Sequence, residues 1–152
     1  MKSKSTPEAG ELRERALGYL ARREHSRFEL ARKLEQAGFA SHDIAPLLDE
    51  FEKKNWLSDR RFAESWVADH RAKTGSVKLA YDLRQRGVDD SLIQTVLSDN
   101  RDSELERARE VWQKKFGAPP ADAADKARQM RFLQSRGFSF TLAQLVIRNE
   151  TT

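Results

Sequence analysis

Cysteine is absent from this chain of 152 residues. Disulfides, thiolate metal sites and a cysteine nucleophile are therefore excluded. Glycine and proline are scarce, at 7 and 4 residues. A chain so poor in turn formers and so rich in Ala, Leu, Arg, Glu and Gln reads as mostly helical. No apolar run reaches the roughly 18 residues that a membrane-spanning helix needs, so no membrane partner is expected. The segment Met1–Gly10 is small and polar and lacks the apolar centre of a secretory signal. It is expected to be a frayed tail on a cytoplasmic protein.

Charge is nearly balanced, with 28 basic and 24 acidic residues and a formal net charge of +4. So small an excess permits contact with nucleic acid or an acidic protein without demanding either. At 38 % hydrophobic and 34 % charged residues, the chain is too apolar to be wholly disordered. Its distribution of charge is more informative. From Lys126 to Asn149 there are five basic residues and no acid.

Internal repetition is strong. Gly38, Gly87 and Gly137 stand 49 and 50 residues apart. The same offsets relate Leu34, Leu83 and Leu133; Phe39, Val88 and Phe138; Leu47, Val96 and Val146; and Leu48, Leu97 and Ile147. Such agreement around a shared glycine marks three copies of one unit. The expected division is a tail over 1–10 and three-helix repeats over 11–55, 56–100 and 101–152. A unit this small buries little core alone and gains by stacking on neighbours. The fold class expected is all-α, with three tandem three-helix repeats in an elongated, curved array. The alternative is a compact bundle with accidental periodicity, whose radius of gyration would be about 15 Å.

Helix signals recur in each unit. Ser26 with Glu29 forms a capping box before a helix ending at Gly38, the left-handed cap. The next helix starts at Ser41 or Asp43; Pro46 is harmless only in the second case. Ser58 or Asp59, Ser76 and Asp89 or Asp90 start the helices of the second unit. Ser103 with Glu106 suggests another capping box, and Asp122 and Ser139 start the last two helices.

Catalytic chemistry finds little support. His25, His42 and His70 do not stand at metal-ligand spacings and read as ordinary solvated histidines. No phosphate-binding glycine loop or nucleophile elbow occurs. No enzyme activity, cofactor or metal is expected. The polar face of each middle helix carries more: Glu29, Arg32 and Gln36; Lys78, Tyr81 and Gln85; Arg128, Arg131 and Ser135. Steps of three and four place each trio on one side, opposite Leu34, Leu83 and Leu133. Arg84 and Arg136 reinforce a basic stripe holding an exposed tyrosine. Stacked units would align these trios for an electrostatically guided partner. Trp56, Phe62, Trp66 and Trp112 could stack on bases, but their helical spacing favours packing.

The string Trp56-Leu57-Ser58-Asp59-Arg60-Arg61-Phe62-Ala63-Glu64-Ser65-Trp66-Val67, followed by Arg71 and Gly75, resembles the signature of the bacterial RecX regulatory proteins. Leu83 to Gly87 and Arg136-Gly137-Phe138-Ser139 resemble the family in the same order. Ser76 and Phe140 depart from its usual pattern. The resemblance implies three tandem three-helix repeats and a modulator, mainly inhibitory, of the RecA recombinase. Such proteins bind along the groove of the RecA filament on single-stranded DNA and suppress ATP hydrolysis, strand exchange and co-protease activity. DNA binding is itself a family trait, so single-stranded DNA and, secondarily, double-stranded DNA are expected partners. Carried over to this chain, the candidate face is Arg71, Lys78, Tyr81, Arg128 and Arg131. Arg32, Arg84 and Arg136 join it from the stripe. A monomer is expected. The competing reading is a helical DNA-binding module acting without RecA.

Overall fold

The computed structural model describes residues 9–151. Up to residue 8 the expected tail lies outside them, while Ala9 and Gly10 already belong to helix α1 (Ala9–Arg22). Among the described residues there are α-helices and one short 3₁₀ turn, and no strand. The chain divides into two compact units. One holds the chain up to Ser65 together with Arg86–Val88; the other holds Trp66–Gln85 together with the chain from Asp89 onward.

In the first unit α1 packs with α2 (Arg27–Gln36) and α3 (Ser41–Lys53). Apolar residues at helical spacing converge on one core: Leu12 and Ala16 from α1, Leu30 and Leu34 from α2, and Ile44, Leu48 and Phe51 from α3. Burying side chains of this size contributes roughly 1.5–3 kcal/mol each. Ser26 caps α2 as expected, accepting the Glu29 amide while the Glu29 carboxylate reaches back to the Ser26 amide. Gly38 closes the helix with φ of 101°. Of the two expected starts of α3, Ser41 holds, as the first helical residue and not as a side-chain cap: Ala40 is the uncapped entry, and Pro46 lies inside the helix. Packing of the Ile44–Leu48–Phe51 face overrides the lost backbone bond, and the exposed ring of Pro46 meets no core.

Helix α4 (Asp59–His70) is capped by Ser58, whose hydroxyl accepts the Arg61 amide at 3.1 Å. That frees Asp59, which accepts the first amide of α2, that of Arg27, at 2.8 Å. Burial pushes the Asp59 carboxyl above the usual carboxylate range, although the Arg27 amide opposes this. Beside it, the Ser26 hydroxyl donates to the Arg86 carbonyl at 2.6 Å. Gly87, with φ of 78°, lies against Phe28: a β-carbon there would stand 2.3 Å from that of Phe28. The start of α2 is thus a seat for the Arg86–Val88 turn.

The second unit contains α5 (Ser76–Gln85), α6 (Asp90–Ser98), α7 (Glu104–Lys115), α8 (Ala123–Ser135) and α9 (Phe140–Thr151). Trp112, Leu133, Phe138, Val146 and Ile147 form the core of the last three helices. The buried Trp112 indole donates to Gln129 at 2.8 Å, and the Gln129 amide donates to the Ala118 carbonyl at 3.2 Å, fixing the α7–α8 connection. Asp122 caps α8, as expected. Ser103 does not cap α7, because a 3₁₀ turn, Arg101–Ser103, leads into that helix; its hydroxyl accepts from Arg107 instead. The start of α5 is a second seat. Gly75 donates to the Arg136 carbonyl at 2.7 Å and Val77 to the Gly137 carbonyl at 3.0 Å. The Ser76 amide donates to Glu104 at 2.7 Å.

Three side chains depart from expectation. His25 is not solvated but 1 % exposed. His70 stacks on Trp66 with ring centres 4.1 Å apart and bonds the Trp66 carbonyl. Trp56, expected in the packing, is 44 % exposed and lies against Phe51, with Arg13 and Lys54 over its ring. Phe62 and Trp112 are buried.

Candidate functional site

The middle helices α2, α5 and α8 bury Leu34, Leu83 and Leu133 completely. Because those leucines point inward, the opposite positions point outward. Arg32, Lys78, Tyr81, Arg84, Arg128, Arg131 and Arg136 are all exposed, as is Arg71 on the turn after α4.

Their electrostatic states differ. Arg84 pairs with Asp90 at 2.6 Å and Arg128 with Asp125 at 2.7 Å, so part of their charge is spent within the chain. Arg128 and two backbone and side-chain amides hold the Asp125 carboxyl below its ordinary range; the Ala121 amide is the largest cause. Arg32 lies over the Phe28 ring in the first unit, at 5.5 Å. Lys78, Arg131 and the Arg71 guanidinium have no carboxylate partner among the described residues. Acids of α3 are also paired: Asp49 and Glu52 with Arg27, and Glu50 with Arg13 and Lys54.

Within the second unit the structure brings several of these residues to one end of the helices. The stem of Lys78 abuts Gly137, where a β-carbon would stand 2.3 Å from that of Lys78. Arg136 precedes that glycine. Arg131 does not share the side of Arg136: five residues at 3.6 per turn set them about 140° apart around α8. Tyr81 is 57 % exposed, one turn along α5 from Lys78.

Sequence reasoning missed the aromatic half of the site. Arg128 lies over Phe116 at 5.1 Å, Phe116 meets Phe132 edge to face at 5.4 Å, and Arg136 and Lys115 lie over Phe132 at 5.3 and 5.4 Å. Cations thus flank a pair of touching rings along the contact between α7 and α8. The signal was in the chain: Phe132 stands four residues from both Arg128 and Arg136, and Phe116 follows Lys114-Lys115. Arg107 supports this end from below. Its buried guanidinium donates to the carbonyls of Arg71 and Asn100 at 2.5 and 2.9 Å, fixing the turn that carries Arg71 and Lys73.

Among the described residues no cluster of His, Asp and Glu is placed to hold a metal, and no helix is long and apolar enough to cross a membrane. The class defined is a protein of repeated three-helix units that presents cations and aromatic rings to solvent. Three family models match in tandem: the first three-helix domain of RecX over residues 13–51, the second over 58–97 and the third over 102–147. Regulatory protein RecX of Ralstonia nicotianae is 43% identical over 136 residues, covering 90% of this chain and 86% of the relative. That of Chromobacterium violaceum is 45% identical over 140 residues, covering 92% and 91%. The crystal structure of RecX from Lactobacillus salivarius superposes with a TM-score of 0.81 at 18% identity, covering 94% of this chain and 96% of that one. The chain belongs to the RecX family of regulatory proteins.

Proposed function

We propose that the protein restrains the RecA recombinase by binding the RecA filament on single-stranded DNA. Bound there, it lowers ATP hydrolysis, strand exchange and co-protease activity, and so moderates DNA repair and the SOS response. Family membership supports this reading. The observation that carries it is the set of exposed cations whose charged groups have no carboxylate partner among the described residues, Arg71, Lys78 and Arg131. Unpaired surface charge steers an acidic partner and fixes its register at little desolvation cost.

The test is titration of the protein into RecA, ATP and single-stranded DNA. Hydrolysis falls as the protein approaches stoichiometry. The double variant Lys78→Glu, Arg131→Glu needs about tenfold more protein for the same effect, equivalent to about 1.4 kcal/mol, with its melting temperature unchanged. Hydrolysis and filament length unaffected by the wild-type protein would defeat the reading. A second reading, direct binding to DNA without RecA, is favoured by the cation-flanked rings Phe116 and Phe132. Base stacking beside a basic groove is how single strands are held.

A further inference from the structure

A cavity of about 310 Å³ opens between the turn after α4, one side of α7 and the end of α8, all within the second unit. Lys73, Lys114, Lys115 and Arg136 surround it against one carboxylate, Glu110. Its apolar lining is chiefly Val111 and Phe132, both half-buried. The Phe132 ring is held in place by the edge of Phe116 and by the cations over it. The turn bearing Lys73 is clamped at both ends, by Arg107 on the Arg71 carbonyl and by Glu104 on the Ser76 amide. The cleft is therefore formed before any ligand arrives.

Four cations against one acid call for an anion. The apolar lining calls for a flat or hydrophobic group joined to it. The volume lies at the small end of ligand sites, which begin at about 300 Å³. A nucleotide unit meets all three conditions, its phosphate among Lys114, Lys115 and Arg136 and its base on Val111 and Phe132. A duplex does not, because its bases are stacked and paired and would have to be extruded.

We infer that this cleft seats one nucleotide of a single DNA strand. The inference rests on the reading of direct DNA contact and is independent of any effect on RecA. Arg136 serves both the charged edge and the ring, so it links the stripe to the cleft.

The test measures anisotropy of the full chain with two labelled strands of about ten nucleotides, within the range of single-strand sites. One is oligothymidylate; the other has the same phosphates but no bases. The wild-type protein prefers the strand with bases by about 5- to 150-fold, the range expected for one stacked base. Phe132→Leu removes that preference and leaves affinity for the abasic strand unchanged. Lys114→Glu, at an exposed position and with its melting temperature measured alongside, weakens both strands, while Lys53→Glu in the first unit weakens both much less. Equal affinity of wild type for the two strands overturns the inference, as does a preference that survives Phe132→Leu. Thymidine monophosphate binding as tightly as the oligonucleotide overturns it in favour of a free nucleotide. RecA ATPase is titrated in parallel: lost inhibition with the base preference intact removes the RecA reading alone, and the reverse outcome removes the cleft alone.

Discussion

The two seats, at the starts of α2 and α5, solve one problem by different chemistry. In both, a carboxylate from the first turn of another helix accepts the helix's first amide: Asp59 for Arg27, Glu104 for Ser76. In both, a left-handed glycine presses on the second or third helical residue, Gly87 on Phe28 and Gly137 on Lys78. The remaining bonds differ. At α2 a side chain makes the link, from the Ser26 hydroxyl to the Arg86 carbonyl. At α5 the equivalent residue is Gly75, and backbone amides bond the Arg136 and Gly137 carbonyls directly. A side chain holds two backbones apart while bonding them; its absence lets them touch. The seats should therefore fail differently.

Gly75→Ala is the largest expected break. A β-carbon there would lie 2.4 Å from the Gly137 oxygen and 2.6 Å from the Phe138 nitrogen. Those are backbone atoms that cannot swing aside. The clash costs roughly 1–3 kcal/mol as overpacking, and the two displaced bonds about 1 kcal/mol each. A loss of about 3–5 kcal/mol in urea unfolding is expected. A loss below about 1 kcal/mol would show that this seat yields as easily as an exposed turn.

Ser26→Ala should cost less, about 2 kcal/mol. It removes an N-cap, worth roughly 0.5–2 kcal/mol, and a bond to the Arg86 carbonyl, worth about 1 kcal/mol. No atom is forced into occupied space. If the two variants proved equally unstable, the contrast between side-chain and backbone seats would have no energetic meaning.

Much of this was legible in the chain and some was not. The repeat fixed the positions of the left-handed glycines, Gly38, Gly87 and Gly137, and the fully buried leucines, because both depend on local periodicity. The Ser26 capping box is likewise a four-residue signal. Asp59 and Glu104 were unreadable as caps, because each serves an amide about thirty residues away, at separations of 32 and 28. Ser103 misled for the opposite reason: its local pattern is right, but the preceding turn takes its backbone out of the capping conformation. At the site, exposure of Lys78, Tyr81 and Arg131 followed from the helix face. The pairing of Arg128 with Asp125, three residues apart, could have been read and was not. The Phe116–Phe132 contact could not, since it depends on where the end of α7 meets α8.

The smallest expected effect sharpens the same comparison by pH. His25 precedes Ser26 at the α2 seat, whereas the equivalent residue at the α5 seat is Thr74, which does not titrate. The buried His25 ring donates from Nδ1 to the Arg23 carbonyl at 3.0 Å, and its Nε2 accepts from the Lys33 ammonium at 2.9 Å. Burial pushes the His25 pKa below its ordinary value; the Arg23 and Lys33 charges add to this, while the Arg23 carbonyl and Glu29 oppose it. Protonation would turn the Lys33 contact from a bond into a repulsion. Because the folded value lies below the unfolded one of about 6.5, the unfolded chain takes up the proton first. The neutral ring's contribution is complete above about pH 6.5 and falls as pH drops through that value towards the folded pKa. Urea unfolding of the wild type across about pH 5 to 8 should show stability rising with pH, and His25→Gln should lose that part of the slope. Identical slopes would mean that Lys33 moves aside when the ring charges, and that the two seats respond to acid alike.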